Sequence, residues 1–399
     1  MLKVLKKENF SNLTLFLIIA FPLSIVTLKI FGNLILFYLL IVGVIATYRQ
    51  KINPYLDKKF QFFSLICLGY FLIIFLSIFF HDGLEGDYSH LGRKIHFLFA
   101  PFIFLVISQA DISINKIINS VKLGLIILGL ICIYQFFNNV ERPSGMINPN
   151  VVGDLTSLML FISLTNFFTE SASKKILTFI AFFMGLLVII LSGSRGSWLS
   201  FIFLSFTYFL LFYKSIISIK LKSFLTLIFL TLSILIFQNQ TISQRSYDAI
   251  HEIASWNSGI EKSTSSGIRL DMWKAGLEAF KDAPVFGYGF RNENKVVSEY
   301  SKNNKELIRS KTHLHNEYIT HLVSAGMIGL VAILVFFIAP LRILLKYHIE
   351  NQENLNSKIG VLVIVGYMTF GLTHISISEE HLNAFYIFFM SLSLSKVGE

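Results

Sequence analysis

Long apolar runs follow one another along the whole chain, and they limit what it can fold into. Twelve runs are long enough for a helix to cross a bilayer, which takes roughly 17 to 25 residues. They lie at 11–29, 32–48, 61–80, 92–109, 119–137, 151–168, 175–192, 197–213, 221–237, 316–340, 358–374 and 382–396. Only 15% of the 399 residues are charged, whereas soluble domains have about 25%. The sequence therefore predicts an all-α integral membrane protein with about twelve transmembrane helices.

The lysines and arginines are distributed unevenly between the two predicted sides of the membrane. With the N-terminus in the cytoplasm, the inside connections hold 18 positive residues and the short outside connections hold five. Because cytoplasmic loops carry an excess of Lys and Arg, we predict that both termini are cytoplasmic. The other 11 of the 34 positive residues lie in residues 238–314. Long loops cross the membrane regardless of charge, so this excess agrees with the orientation.

The long hydrophilic segment divides the predicted molecule into three parts. An N-terminal bundle of nine spans covers 1–237, a large periplasmic loop with short helices covers 238–314, and three further spans cover 315–399. The net charge of +10 then reports membrane orientation, not nucleic-acid binding. Cys67 and Cys132 lie within apolar runs, so neither a disulfide framework nor a thiolate metal site is expected.

The first polar candidate is the turn between the seventh and eighth predicted spans. Gly193 and Gly196 permit a tight turn with close backbone approach, and Arg195 is the single charge at the mouth of two apolar helices. A guanidinium in this position favours an anionic ligand. The alternative is an interfacial arginine whose side chain reaches the lipid headgroups.

The second candidate is an amphipathic helix predicted within the long loop. Ser265 or Ser266 can cap it, which places Arg269 in the first turn. Free backbone N–H groups and the positive end of the helix dipole suit phosphate there. The alternative is a surface ion pair between Arg269 and Asp271. Residues 285–290 follow as a glycine and aromatic turn in which Tyr288 contacts a sugar or packs on the bundle.

The third candidate is a pair of histidines before the tenth predicted span. His313 and His315 suggest a metal site, but the near candidates Glu317 and His321 do not form a third ligand cluster, so no metal is expected. A histidine at a positive helix end stays neutral and is suited to act as a general base. The alternative is a helix-capping pair of His315 and Asn316.

Three further positive residues lie on the predicted outer side. Arg142 lies in a turn rich in Pro, Gly and Asn before the sixth span, and Arg93 and Lys94 precede the fourth span. They are candidates for binding a negatively charged substrate.

Taken in chain order, these motifs resemble the O-antigen ligase family of bacterial envelope glycosyltransferases. The turn at 193–196 is similar to the family's arginine turn, and Arg269 before Met272 and Trp273 is similar to its loop arginine. The strongest similarity is to the ligase histidine signature. Here the His-Asn pair at 315 and 316 is followed after nine residues by glycine, and after two more by a second glycine.

The resemblance implies a reaction at the periplasmic face of the bacterial inner membrane. A glycan on undecaprenyl pyrophosphate would be transferred, with inversion, to a sugar hydroxyl of lipid A-core, without ATP, metal or another cofactor. Arg195 and Arg269 would hold the leaving pyrophosphate, and His315 would accept the proton of the acceptor hydroxyl. The expected substrate-binding residues are Arg93, Lys94, Arg142, Asn316, His313 and Tyr288.

Three other functions remain open. An O-antigen polymerase would use the same donor with a lipid-linked glycan as acceptor. A protein O-glycosyltransferase of the same superfamily would usually be longer at its C-terminus. A lipid-glycan flippase would need cationic residues at several depths of a central pathway. The histidine signature and the single large loop favour the ligase over the polymerase. The positive candidates cluster at one predicted face of the membrane, which argues against the flippase.

Overall fold

The computed structural model describes residues 11–50, 58–83, 89–216, 251–252, 256 and 264–396. The regular elements of these residues are helical, and short 3₁₀ turns occur at Phe167–Thr169 and Ser376–Ser378. The α-helices are α1 (Asn12–Thr27), α2 (Phe31–Gln50), α3 (Lys58–Asp82), α4 (Ser89–Lys94), α5 (His96–Gln109), α6 (Ile114–Phe137), α7 (Pro149–Leu164), α8 (Ala172–Ser192), α9 (Arg195–Ile216), α10 (Ser265–Asp282), α11 (Glu293–Tyr300), α12 (Lys305–Arg309), α13 (Glu317–Glu350), α14 (Leu355–Phe370) and α15 (Glu380–Ser395).

These helices confirm an all-helical membrane protein. Within the described ranges, eight segments are long and apolar enough to cross a bilayer, and α1 and α14 are shorter apolar helices. Helices occupy eleven of the twelve predicted apolar runs. The run at 221–237 lies outside the described residues, so the number of twelve and the three-part division stay predictions.

Two helices form the centre of the bundle. Every residue from Leu382 to Leu394 of α15 is buried, and so is every residue from Val151 to Ser163 of α7. A helix that is apolar on all sides is stabilised by neighbours on all sides. Helix α15 packs on α5 and α14, while α7 packs between α6, α8 and α9. These two helices therefore provide a closely packed frame for the polar loops that precede them.

Helix α13 is broken near its start, and the break is filled by the turn that follows α10. Gly326 has φ +60°, and a Cβ there would lie 2.4 Å from the carbonyl oxygen of Val285. The amide of Tyr288 donates to the carbonyl of Val323 at 2.9 Å, and that of Met327 donates to the carbonyl of Pro284 at 2.8 Å. The first glycine of the histidine signature therefore joins the loop to the membrane bundle.

Helix α10 packs against the bundle through an apolar cluster that α11, α12 and α13 share. Its members are Ile268, Met272, Ala275, Val297, Ile308, Leu314 and Val323. The helix begins one residue earlier than its predicted caps, because the side chain of Thr264 accepts the hydrogen bond from the Gly267 amide. Arg269 is therefore the fifth residue of α10 and lies in its second turn, not in the first turn as predicted.

Candidate functional site

A polar cavity of about 360 Å³ lies where the starts of α7, α9 and α10 meet the loop between α14 and α15. It is lined by Arg142, Asn150, Asp154, Gly193, Ser194, Arg195, Gly196, Ser265, Ser266, Arg269, Thr373 and His374. Three of these residues are arginines, and all three are candidates from the sequence. The structure therefore brings together positive residues from three distant parts of the chain.

Arg195 is the first residue of α9, and its guanidinium ties this helix to α10. Its Nη1 donates to Glu252 Oε2 and to Ser266 Oγ, each at 3.1 Å. Burial alone would raise the pKa of the Glu252 carboxyl, but hydrogen bonds from Ser266 and Arg195 outweigh burial and lower that pKa. A carboxylate thus faces Arg195, and an anionic ligand would compete with it.

The turn around Arg195 needs both of its glycines. Gly193 ends α8 in the left-handed conformation, with φ +60°. A Cβ on Gly196 would lie 2.3 Å from the side-chain oxygen of Thr373, so only glycine lets the loop between α14 and α15 approach α9 this closely. The turn predicted from sequence is therefore also a packing site for that loop.

Arg142 and Arg269 complete the positive lining. Arg142 Nε donates to the carbonyl of Ser192, and its Nη2 donates to Asn150 Oδ1, each at 2.8 Å. Burial, followed by repulsion from Arg195 and Arg142, lowers the pKa of Arg269. Arg269 is therefore close enough to the other two guanidinium groups to be repelled by both, and an anion bound beside it would relieve this repulsion.

The two histidines predicted before α13 form a hydrogen-bonded pair. His313 Nε2 and His315 Nδ1 are 3.1 Å apart, and His313 Nδ1 lies 2.8 Å from the hydroxyl of Thr312. Burial, followed by repulsion from His313 and Arg269, lowers the pKa of His315 to about 2. The imidazole is therefore neutral at neutral pH, and the main cause is burial, not the helix dipole expected from sequence.

Asn316 has a structural position beside this pair. Its Oδ1 accepts the hydrogen bond from the Ile319 amide, so it caps α13, and its Nδ2 donates to the carbonyl of Leu372 at 3.1 Å. The amide of Glu317 also donates to the carbonyl of Gly371 at 2.8 Å. The start of α13 is thereby fastened to the loop of residues 371–379, which lines the cavity.

The other predicted binding residues have different surroundings. Arg93 is exposed, and its charge contributes, after burial and Arg269, to the lowered pKa of His313, which is about 4. Tyr288 lies under α10, where its hydroxyl donates to the carbonyl of Ala279 at 3.2 Å. Tyr288 does not line the cavity.

Lys94 is not brought to the cavity either, because its side chain is completely buried in the bundle. Its ammonium donates to the Tyr70 hydroxyl at 3.3 Å, to the Ile377 carbonyl at 3.3 Å and to Ser378 Oγ at 3.0 Å. The carboxylate of Glu317, also buried, accepts the hydrogen bond from the amide of the same Ile377 at 3.0 Å. Lys94 and Glu317 therefore hold the loop of residues 371–379 by the carbonyl and the amide of one residue, Ile377.

The four residues considered as metal ligands fall into two separate clusters. His313 and His315 contact each other, whereas His321 Nε2 is 2.8 Å from the Tyr70 hydroxyl and its Nδ1 is 3.5 Å from Glu317 Oε1. In the part of the chain that the structure describes, no group of three or more His, Cys, Asp or Glu side chains could hold a metal ion.

The sequence did not reveal His374, although it lines the cavity. Its ring lies edge to face against His313, with 5.7 Å between the ring centroids. The apolar run predicted at 358–374 placed this residue inside a helix, but α14 ends at Phe370. The one feature of the sequence that could have indicated His374 as a site residue is its position at the end of an apolar run.

This geometry defines a helical membrane protein with an arginine-lined cavity beside a pair of neutral histidines. Comparison with known proteins shows that residues 180–334 match the family model described as O-antigen ligase. The matched segment contains Arg195, Arg269 and His315, and the resemblance inferred from the motifs is confirmed.

Three relatives are similar over most of this chain. An uncharacterized protein of Haemophilus influenzae is 26% identical over 346 residues, which are 83% of this chain and 84% of that protein. The O-antigen ligase of Escherichia coli is 25% identical over 334 residues, or 78% and 75% of the two chains. The ComP-specific O-oligosaccharyltransferase of Acinetobacter baylyi is 25% identical over 336 residues, or 82% of this chain and 54% of that protein. The two named relatives support a membrane transferase.

Proposed function

We propose that this protein is an O-antigen ligase that transfers a glycan from undecaprenyl pyrophosphate to a sugar hydroxyl of lipid A-core. The observation that carries the proposal is the convergence of Arg142, Arg195 and Arg269 on one cavity. A lipid pyrophosphate leaves with negative charge on its oxygens, and guanidinium groups bind such oxygens with two parallel hydrogen bonds. The similarity to the named ligase supports the choice of substrates.

In this mechanism the arginines stabilise the charge that develops on the leaving pyrophosphate. The ligand takes the place that Glu252 occupies at Arg195, so the guanidinium exchanges one anionic partner for another. Arg269 also gains from a bound anion, because repulsion by Arg195 and Arg142 outweighs its attraction to Glu252. Stabilisation that is larger in the transition state than in the ground state accelerates the transfer.

His315 acts as the general base. Its Nδ1 is engaged with His313, so Nε2 is the atom that accepts the proton of the acceptor hydroxyl. Direct attack of that hydroxyl on the anomeric carbon inverts its configuration and releases undecaprenyl pyrophosphate. The pyrophosphate is already an activated leaving group, so this mechanism needs neither ATP nor a metal.

The orientation expected from the charge distribution completes the proposal. Both termini lie in the cytoplasm, the protein lies in the inner membrane, and the cavity opens towards the periplasm. Lipid-linked donor and lipid A-core both have their glycans on that side.

A protein O-oligosaccharyltransferase is the second candidate, because one relative carries that name. It would use the same cavity and base but a protein hydroxyl as acceptor. The identity of the acceptor, lipid A-core or a protein, distinguishes the two candidates.

The fate of the lipid-linked glycan in a deletion strain tests the proposal. A ligase defect leaves long glycans on undecaprenyl pyrophosphate, and wild-type protein restores glycan on lipid A-core. Arg195→Lys or Arg269→Lys, recovered at normal levels, does not restore it, because lysine cannot make the two-pronged phosphate contact. In the deletion strain, lipid A-core that carries a single glycan repeat would indicate that the missing protein is a polymerase. Loss of glycan from a protein would indicate a protein glycosyltransferase. Lipid-linked single repeats that face the cytoplasm would indicate a flippase. Each of these results would contradict the ligase.

A further inference from the structure

His374 occupies the junction between the arginine cavity and the histidine pair. It lines the cavity together with Arg269 and contacts the ring of His313. It is only 5% exposed. Burial, followed by repulsion from His313 and Arg269, lowers its pKa to about 3, so its imidazole is neutral.

The backbone around His374 is held on two sides. Thr373 packs against Gly196 of the arginine turn, and the carbonyls of Gly371 and Leu372 accept hydrogen bonds from the start of α13. The amide of His374 donates to the carbonyl of Phe370 at 2.9 Å. The backbone that carries this imidazole is therefore fixed in place before any ligand binds.

The hydrogen bonding of this imidazole is incomplete. Its Nδ1 is buried and has no hydrogen-bond partner, and its Nε2 lies 4.0 Å from Glu379 Oε1, which exceeds a hydrogen-bond length. A buried polar atom without a partner costs about 1–3 kcal/mol. Such a cost at the wall of a cavity is recovered when a ligand supplies the missing partner.

We propose that His374 contacts the substrate, and that its Nδ1–H donates a hydrogen bond to a pyrophosphate oxygen held by the arginines. This inference rests on the proposed function, because it takes the ligand of the cavity to be a pyrophosphate. The contact adds a neutral donor beside the charged donors, and it lies on the side of the cavity nearest His313 and His315. The bound pyrophosphate is thereby held next to the proposed base.

Two amide substitutions separate this contact from a structural role. The amide of asparagine can take the position of histidine Nδ1, whereas that of glutamine takes the position of Nε2. Binding of inorganic pyrophosphate to the purified full-length protein is measured by calorimetry. We expect His374→Asn to keep the affinity within about threefold, and His374→Gln and His374→Leu to weaken it by about tenfold or more. His348→Asn, in the distant part of α13, is the matched control and should leave the affinity unchanged.

The possible results distinguish this inference from the proposed function. Wild-type affinity in all three His374 variants, together with weaker binding by Arg269→Lys, would refute the contact and leave the anion cavity in place. Rescue by glutamine and not by asparagine would refute it too, because the important atom would then be Nε2 facing Glu379. Failure of the wild-type protein to bind pyrophosphate would refute the proposed function itself.

Discussion

Removal of one charge from the buried pair of Lys94 and Glu317 should destabilise the protein far more than removal of both. The two side chains are 0% and 1% exposed, and they attract each other within the bundle. Lys94 donates to the carbonyl of Ile377, and Glu317 accepts from its amide. Lys94→Met keeps most of the side-chain volume but leaves the carboxylate without its compensating charge. Glu317→Gln in turn leaves the ammonium of Lys94 without its compensating charge.

The expected magnitude follows from the complete burial of both groups. Removing one of two buried charges that compensate each other costs up to about 3–5 kcal/mol, the value for a buried ion pair in direct contact, because the remaining charge is buried without compensation. Removing both charges avoids this cost, and a glutamine can still accept the hydrogen bond from Ile377. The double variant should therefore be no less stable than either single variant. The two single losses would then exceed the loss in the double variant by about 3 kcal/mol or more, and this excess is the coupling energy between the two residues.

The free energy of unfolding can be measured by titrating SDS into the detergent-solubilised protein. The exposed pair of Lys281 and Glu278 on α10 provides the control, since these side chains are 65% and 51% exposed. Lys281→Met should cost less than about 1 kcal/mol. The account of Lys94 would be refuted if the single variants of the buried pair lost as little free energy of unfolding as this control. It would also be refuted if the loss in the double variant equalled the sum of the two single losses.

Three further predictions concern the base, the helix break and the topology. The pKa of His315 is lowered to about 2, so the base is neutral until the pH falls far below neutrality. We therefore expect kcat/KM for the donor to stay level between about pH 7 and pH 5. A fall centred near pH 6.5, the ordinary pKa of histidine, would contradict this prediction. Gly326→Ala should lower thermal stability markedly, because its Cβ meets the backbone of Val285 and the residue has positive φ; unchanged melting would contradict the packing. In a protein lacking its native cysteines, Lys302→Cys should react with an impermeant thiol reagent in whole cells and Ser173→Cys should not; the reverse pattern would invert the topology.

The sequence predicts the helices well, because crossing a bilayer requires a length of apolar residues that can be read directly. It also predicts Arg195, since a single charge at the mouth of two apolar helices is conspicuous, and Arg269, since it lies near the capped start of an amphipathic helix. The convergence of these two residues with Arg142 on one cavity is a feature of the tertiary structure. It depends on how α10 packs on α13, and no local pattern encodes that packing.

Lys94 and His374 show why the rest of the site could not be predicted. Lys94 follows Arg93 and was grouped with it, but successive residues on a helix point in different directions, and the partner of Lys94 is Glu317, far along the chain. His374 was assigned to a span because the hydropathy of its run is high, whereas the chain leaves the helix where the start of α13 binds the carbonyls of Gly371 and Leu372.

Transfer by purified protein in proteoliposomes is the most direct test of the central claim. The reaction contains undecaprenyl-pyrophosphate-linked glycan and lipid A-core, with excess EDTA and without ATP, and glycosylated lipid A-core is measured over time. We predict that the wild-type protein forms this product, and that His315→Ala slows it by about 10²- to 10⁴-fold while binding the donor with nearly wild-type affinity. No product from the wild-type protein, loss of activity in EDTA that a divalent metal restores, or a full rate for His315→Ala would contradict the account.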